Sequence, residues 1–195
     1  MRARRGSEGF ERLALCALWL MALASPAMAA DARTTFIADN RCQITLRLDM
    51  IHARKGEPNR YLVVADRSEP RSYIQCLLEE DDTQMLCEAS SGFYSVKPGI
   101  EPPGLSWHGL AVIEAAGFST DDSEGNFQKL LAISNPDRDF HDVAGLLLGL
   151  LYDAYGVRRG EKLEYKAPLA KSPRGHGLVC PAQLSGFRAE IGERA

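Results

Sequence analysis

The spacing of the cysteines is the feature that most restricts how this chain can fold. Of the five cysteines, Cys16 lies in an apolar N-terminal segment and the others follow at positions 42, 76, 87 and 180. Four cysteines in an exported chain indicate two disulfides, which can connect in three ways. We favour Cys76–Cys87 and Cys42–Cys180, because the first pair is symmetric about a predicted hairpin turn, where cross-strand Cα atoms are close enough for a disulfide.

The first 29 residues have the three-part layout of a secretory signal peptide. Several arginines come first, an uninterrupted apolar run covers 13–24, and Ser25 and Pro26 end it. Ala27 and Ala29 then supply the small residues that a signal peptidase reads. We therefore expect cleavage near Ala29 and a periplasmic or secreted protein. A retained anchor is the alternative, although the apolar run is short of the ~20 residues that a bilayer needs.

The remaining length and charge limit the classes of function. Residues 30–170 are enough for a single domain, and 171–195 form a predicted C-terminal loop or tail anchored by Cys180. The whole chain has a net charge of −3, and the leader holds more arginines than acids, so the rest is more acidic still. An acidic chain is a poor partner for nucleic acid. No second long apolar segment follows, so we expect no membrane span after cleavage.

The pattern of apolar residues predicts six strands and two helices. Strict alternation over 42–50 places Cys42, Ile44, Leu46, Leu48 and Met50 on one face of a first strand. Further strands are predicted at 61–66, 72–79, 83–89, 127–134 and 162–169, and short turns between the early strands favour an antiparallel meander. Together with the helices, this order indicates an α+β fold in which a mostly antiparallel sheet has helices packed on one face.

Two segments change to a helical period. The first is predicted to run from Trp107 to Ala116, with Ser106 as N-cap and Gly117 as its end. The second carries an apolar stripe of three-four spacing from Phe140 to beyond Leu151. Acidic residues precede that stripe, as the positive end of a helix dipole favours.

Catalytic and metal-binding patterns were sought, and we predict no catalytic, cofactor-binding or metal-ligating residue and no cofactor. The chain has no GxSxG or HExxH motif and no glycine-rich phosphate loop. The segment DRDFHD at 137–142 gathers three carboxylates and a histidine, which a metal ion or a helix N-terminus would each explain. The candidate partner-binding residues are aromatic instead: Tyr73, Phe93, Tyr94 and Trp107.

Short motifs between 73 and 165 resemble, in their order and spacing, the type III secretion chaperone-like domain family. They are YIQ at 73–75, LCEASS at 86–91, AAGF at 115–118, EGNFQ at 124–128, AGLLLGLLYDAYGV at 144–157 and LEY at 163–165. The resemblance implies a twisted sheet with helices on one side, and a non-enzymatic, often dimeric protein that holds partly unfolded clients. Family chaperones are cytoplasmic and begin with a helix, whereas this chain is predicted to be exported and to begin with strand 42–50.

Three hypotheses of function follow. The first is an exported, chaperone-like protein that captures a polypeptide partner through an apolar sheet or helix surface, with homodimerisation as a further expectation. The second is an enzyme inhibitor or envelope stress factor that acts through a protruding loop at 92–106. The third is a small hydrolase or metal enzyme, which requires a pocket where Asp137, Asp139 or His141 meets residues distant in sequence.

Overall fold

The computed structural model describes residues 26–79, 81–95, 105–121, 125–171 and 180. The chain divides into one compact unit at 1–32 and another at 33–195, and the description below concerns the second. The elements in chain order are α1 (Pro26–His52), β1 (Tyr61–Asp66), β2 (Tyr73–Leu78), β3 (Gln84–Ala89), a short 3₁₀ helix (Phe93–Ser95), α2 (Trp107–Ala115), β4 (Phe127–Ala132), α3 (Pro136–Asp153) and β5 (Leu163–Lys166). Most of the predicted signal peptide, and the tail apart from Cys180, lie outside the described residues.

The five strands form one antiparallel sheet in the order β4-β3-β2-β1-β5. Together with the helices packed against it, this sheet is the predicted α+β fold. The predicted strands after position 60 are all present, and the structure shortens the last two at their C-terminal ends. The sheet therefore has two edges, β4 and β5, and β1 to β3 lie in its interior.

One face of the sheet is covered, and we call it the covered face. It presents alternate residues of the strands, all buried, namely Leu62, Val64, Ile74, Cys76, Leu78, Met85, Cys87, Ala89 and Phe127. All three helices contribute to the same core cluster, with Ile44 and Leu48 from α1, Ile113 from α2 and Leu147 from α3. α3 contacts β1 and β2 directly.

The predicted strand at 42–50 is wrong, because this segment is part of the long helix α1. Its alternation is short and coincides with a helical stripe in which Phe36, Ile37, Ile44, Leu48 and Ile51 are buried. Met50, expected inside, is 36% exposed, whereas Arg47, expected on the polar face, is buried. The difference from the chaperone family in the first element therefore disappears, while the resemblance itself stays a prediction.

Two arginines of α1 lie against glycines of α3. A Cβ at Gly145 would lie 2.8 Å from Nη2 of Arg41, and one at Gly149 would lie 2.9 Å from Nη2 of Arg33. Arg33 continues to an ion pair with Asp153, whose Oδ2 lies 2.8 Å from its Nη2. The glycines of the GLLLG sequence at 145–149 thus leave room on α3 for the side chains of Arg41 and Arg33.

Both predicted disulfides are present. Cys76 and Cys87 are direct partners in the β2–β3 register, with Cα atoms 4.1 Å apart. Cys42 in α1 is bonded to Cys180, with Cα atoms 6.0 Å apart. The predicted cap of α2 is also correct, since the hydroxyl of Ser106 accepts a hydrogen bond of 3.0 Å from the N–H of Gly109.

Candidate protein-binding surface

The second face of the sheet, which we call the open face, carries a line of apolar side chains across four strands. Tyr61 in β1 is paired with Leu77 in β2, Leu77 with Leu86 in β3, and Leu86 with Leu130 in β4. Leu77 is 45% exposed and Leu130 is 54% exposed, while the other two are half-buried. We call these four residues the apolar row.

The apolar row was not among the predicted binding residues, although the sequence contains a pattern that indicates it. In each of β2, β3 and β4 an open-face leucine stands beside an apolar residue of the covered face, so apolar residues are consecutive there: Leu77 with Leu78, Met85 with Leu86, and Leu130 with Leu131. An open face normally breaks such runs with polar residues. The predicted Cys76–Cys87 bridge also fixes the strand register and places Leu77 opposite Leu86.

Polar side chains border the apolar row on both sides. Two residues further along the strands, Glu88 accepts hydrogen bonds from the side-chain amides of Gln75 and Gln128, the latter at 3.2 Å. On the other side, Glu79 continues the alternation of β2, and its N–H donates to the carbonyl of Gln84 at 3.0 Å. Carboxylates therefore lie on either side of the leucines.

A cavity of about 960 Å³ opens at the end of β2, beside the apolar row. Its wall includes Leu77, Glu79, Asp81 and Glu57. Beneath it the turn between β2 and β3 is held by a buried ion pair of Arg60 and Asp82, and Lys55 adds a contact of 2.9 Å to the same carboxylate. Burial would raise the pKa of Asp82, but the hydrogen bonds from Arg60 and Lys55 outweigh it and lower the pKa below its ordinary value.

The four aromatic residues predicted to bind a partner lie elsewhere. Tyr73 is half-buried and its hydroxyl accepts a hydrogen bond of 2.9 Å from Asn126. Phe93 and Tyr94 are exposed and contact each other edge-on, with ring centroids 5.1 Å apart. Trp107 is 84% exposed at the start of α2, where its ring meets His108. The middle of the predicted protruding loop, 96–104, lies outside the described residues.

Asn126 connects three of these aromatic residues at one end of the sheet. Its side-chain oxygen accepts from the N–H of Ser91 at 3.4 Å, and the Ser91 hydroxyl accepts from the N–H of Phe93 at 3.1 Å. The hydroxyl of Tyr94 lies against Gly125, where a Cβ would be 2.8 Å away. Within the described part of the chain, the structure records no contact between Trp107 and this group.

A second recess lies on α1, beside the Cys42–Cys180 bridge. Its volume is about 670 Å³, and its wall includes Ile37, Cys42 and Leu46 together with His141 of α3. Nη1 of Arg41 lies 2.7 Å from Nε2 of His141, which makes that ring nitrogen the acceptor. The recess is mainly apolar, and two arginines, Arg33 and Arg41, form part of its wall.

Two of the three carboxylates of the DRDFHD segment, Asp139 and Asp142, have structural partners. Oδ2 of Asp139 accepts from the N–H groups of Ser134 and Asn135, both at 2.7 Å, and the pKa of Asp139 is lowered by these bonds. Asp142 lies 3.6 Å from Arg138. The residues that the structure describes contain no group of three or more His, Cys, Asp or Glu side chains that could hold a metal ion.

Two tyrosines with raised pKa values join the helices to the sheet. Burial raises the pKa of Tyr155, whose hydroxyl donates to the carbonyl of Ser90 at 2.7 Å. Burial also raises the pKa of Tyr165 to about 12, although the guanidinium of Arg47 over its ring acts in the opposite direction. Both phenols are neutral at physiological pH and serve packing between the sheet and the rest of the core.

The fold and these surfaces define a disulfide-bonded α+β protein in which the five-stranded sheet of the described residues is covered on one face and open on the other. The chain matches no protein-family model, no curated protein and no solved structure. Among the described residues, no helix is long and apolar enough to cross a membrane.

Proposed function

We propose that this protein is an exported, non-enzymatic binding module that captures a polypeptide partner on the open face of its sheet. The observation that carries the proposal is the apolar row, in which two leucines remain about half exposed, whereas the apolar residues named on the covered face are buried. Exposed leucines in one line across a rigid sheet match the apolar centre of a protein-binding site. The resemblance to the secretion chaperone-like family supports the same conclusion.

Simple energetics indicate what kind of binding the row supports. Burying the rest of Leu77 and Leu130 gains about 1 kcal/mol from each, at half the value for a whole leucine. A micromolar complex needs about 8 kcal/mol. The row is therefore an anchor for weak, reversible capture, which suits a protein that holds a client for a limited time, and a tighter complex needs contacts beyond the leucines.

The proposal is tested by measuring whether the protein delays aggregation of a chemically denatured model polypeptide, followed by light scattering. We expect a delay with the wild-type protein and its loss in the double variant Leu77→Gln with Leu130→Gln. Leu110→Gln is the matched control, because Leu110 is a leucine of comparable exposure, 38%, on α2. A delay that survives in the double variant, or that Leu110→Gln removes equally, contradicts the proposal.

The export part of the proposal rests on the disulfides and the leader. Two disulfides fit an oxidising compartment such as the periplasm or the cell exterior. The predicted signal peptide supplies the route, and N-terminal sequencing of the protein from its native host tests it. A mature chain that starts near Ala30 is expected, and a chain that retains its first residues in the cytosol would contradict it.

The loop hypothesis keeps one observation in its favour. Tyr94 is 67% exposed, and Phe93 beside it is exposed as well, at the start of the segment where a protruding loop was predicted. An inhibitor that inserts a loop into an enzyme needs such exposed aromatic side chains. The aggregation assay separates the two hypotheses, because Phe93→Ala with Tyr94→Ala leaves the delay unchanged if the apolar row is the binding surface.

A further inference from the structure

We infer that the apolar row takes a polypeptide segment whose apolar side chains are flanked by lysine or arginine. This inference rests on the proposed function and specifies the chemistry of its partner. It follows from the charges on either side of the row, because the leucines alone supply too little binding energy and the nearest charged groups are carboxylates.

The carboxylates surround the row. Glu79 follows Leu77 by two residues, directly after the end of β2, and Glu88 follows Leu86 by two residues on β3 in the opposite direction. Asp81 lies in the wall of the cavity next to Leu77. Its pKa is lowered, chiefly by the backbone hydrogen bond from Thr83, so this carboxylate is ionised at neutral pH.

The cations in the same area do not balance these acids. Arg60 is buried in its ion pair with Asp82 and presents no charge to a partner. The exposed Lys55 is paired with the same carboxylate at 2.9 Å, which leaves Glu79, Asp81 and Glu88 without a cation of their own among the ion pairs of the described residues. Arg54 lies 3.3 Å from Glu57 and compensates that one residue of the cavity wall. Lys166 lies opposite Val63 on the edge strand β5, and the strand β1 separates it from β2, which carries Leu77. In the described part of the open face, the surroundings of Leu77 and Leu86 are thus acidic.

The distances make these charges effective. Two residues along a strand span about 7 Å, which is less than the Debye length of about 8 Å at physiological salt. A lysine placed beside a leucine-binding segment therefore interacts with Glu79 or Glu88 without full screening. Exposed ion pairs of this kind change affinity by about twofold each, and both signs count, since a partner with acidic flanks is repelled by the same factor.

The test uses three fluorescent peptides that share a centre of alternating leucine and threonine. The first has two lysines at each end, the second has glutamines, and the third has glutamates. Binding to the protein with both disulfides formed is measured by fluorescence anisotropy at low and high salt. We expect the lysine peptide to bind about tenfold more tightly than the glutamate peptide at low salt, with the difference shrinking as salt rises.

Variants locate the effect. Glu79→Gln with Glu88→Gln should weaken the lysine peptide by about fivefold and leave the glutamine peptide unchanged. Glu114→Gln on α2 is the matched control, an exposed carboxylate away from the sheet, and it should change nothing. Thermal unfolding of each variant confirms that it is folded.

The outcomes separate this inference from the proposed function. If all three peptides bind equally and Leu77→Gln with Leu130→Gln weakens all of them, the apolar row is the binding surface and the basic partner is refuted. If no peptide binds, or if the leucine substitutions leave binding intact, both the inference and the proposed function are overturned.

Discussion

The two faces of this sheet use the same strands and similar residues to opposite effect. On the covered face, Val64, Ile74 and Met85 are at most 1% exposed under the three helices. On the open face, Leu77 and Leu130 have the same apolar chemistry and remain about half exposed. Ile74 and Leu77 belong to the same strand and are separated by only two residues.

This difference in exposure shows that the hydrophobicity of a strand residue does not by itself indicate how much that residue stabilises the fold. A buried apolar side chain gains its full transfer free energy, whereas an exposed one gains little and promotes association. An antiparallel sheet that needs one solvated face normally makes that face polar. Leucines in register on the open face depart from this pattern, and the proposed binding surface is built on that departure.

The largest expected effect comes from truncating the same kind of side chain on each face. Ile74→Ala should lower the free energy of unfolding by about 3 kcal/mol, because it leaves a cavity beneath the helices. Leu130→Ala should cost less than about 1 kcal/mol, because water already reaches that site. Urea denaturation of the oxidised protein measures both.

Equal losses for the two variants would contradict the assignment of the faces. The value of m in the same experiment serves as the control, since an unchanged m shows that both variants unfold from a native state of similar compactness.

The covered face was partly predictable from the sequence, because the stripe on α3 marks the helical side of the core. Alternation in the strands did not select the buried side, since β1 is apolar almost throughout and β2 and β3 contain consecutive apolar residues. The Cys76–Cys87 pairing followed from hairpin symmetry. α1 was not predictable from the segment chosen, because residues 42–50 satisfy both a two-residue and a helical period. The buried positions that show the helical period, which include Phe36, Ile37 and Ile51, lie partly outside that segment and are known from the structure.

The candidate site was less accessible to sequence reasoning. Tyr73, Phe93, Tyr94 and Trp107 were selected by residue type, yet the structure makes Tyr73 half-buried and places the ring of Trp107 against His108. The apolar row depends on the register between four strands, of which β4 is distant in sequence from the other three. Residue types at one position carry no information about that register, except through the cross-strand disulfide.

An intermediate effect is expected at the turn between β2 and β3, where Asp82 is paired with Arg60. Asp82→Asn should lower stability by about 2 kcal/mol at pH 7, because it removes a charge-assisted hydrogen bond to the buried Arg60. The pKa of Asp82 is lowered in the folded state, so its contribution is present above the ordinary carboxyl pKa of about 3.9 and is lost as the pH falls through the folded-state pKa. The difference between variant and wild type should thus disappear in acid.

Chemical denaturation at a series of pH values measures this dependence. Lys55→Ala is the control, because it removes only the exposed partner of Asp82 and should change stability much less. If the difference in unfolding free energy between Asp82→Asn and the wild type stays constant down to the lowest pH, the ionised carboxylate does not stabilise the turn between β2 and β3.

The smallest expected effect concerns the open face itself. Leu77→Gln with Leu130→Gln should change the free energy of unfolding by only about 0.5 kcal/mol, because both sites are solvated and glutamine is compatible with an exposed strand position. The same variant should lose the capture of denatured polypeptide. This combination distinguishes a binding surface from a structural one. Substituting a residue that stabilises the fold lowers the free energy of unfolding, whereas substituting a residue of a binding surface removes binding and leaves that free energy nearly unchanged. Should the double variant instead unfold far more easily, the leucines would belong to the core, and the contrast between the two faces would be lost.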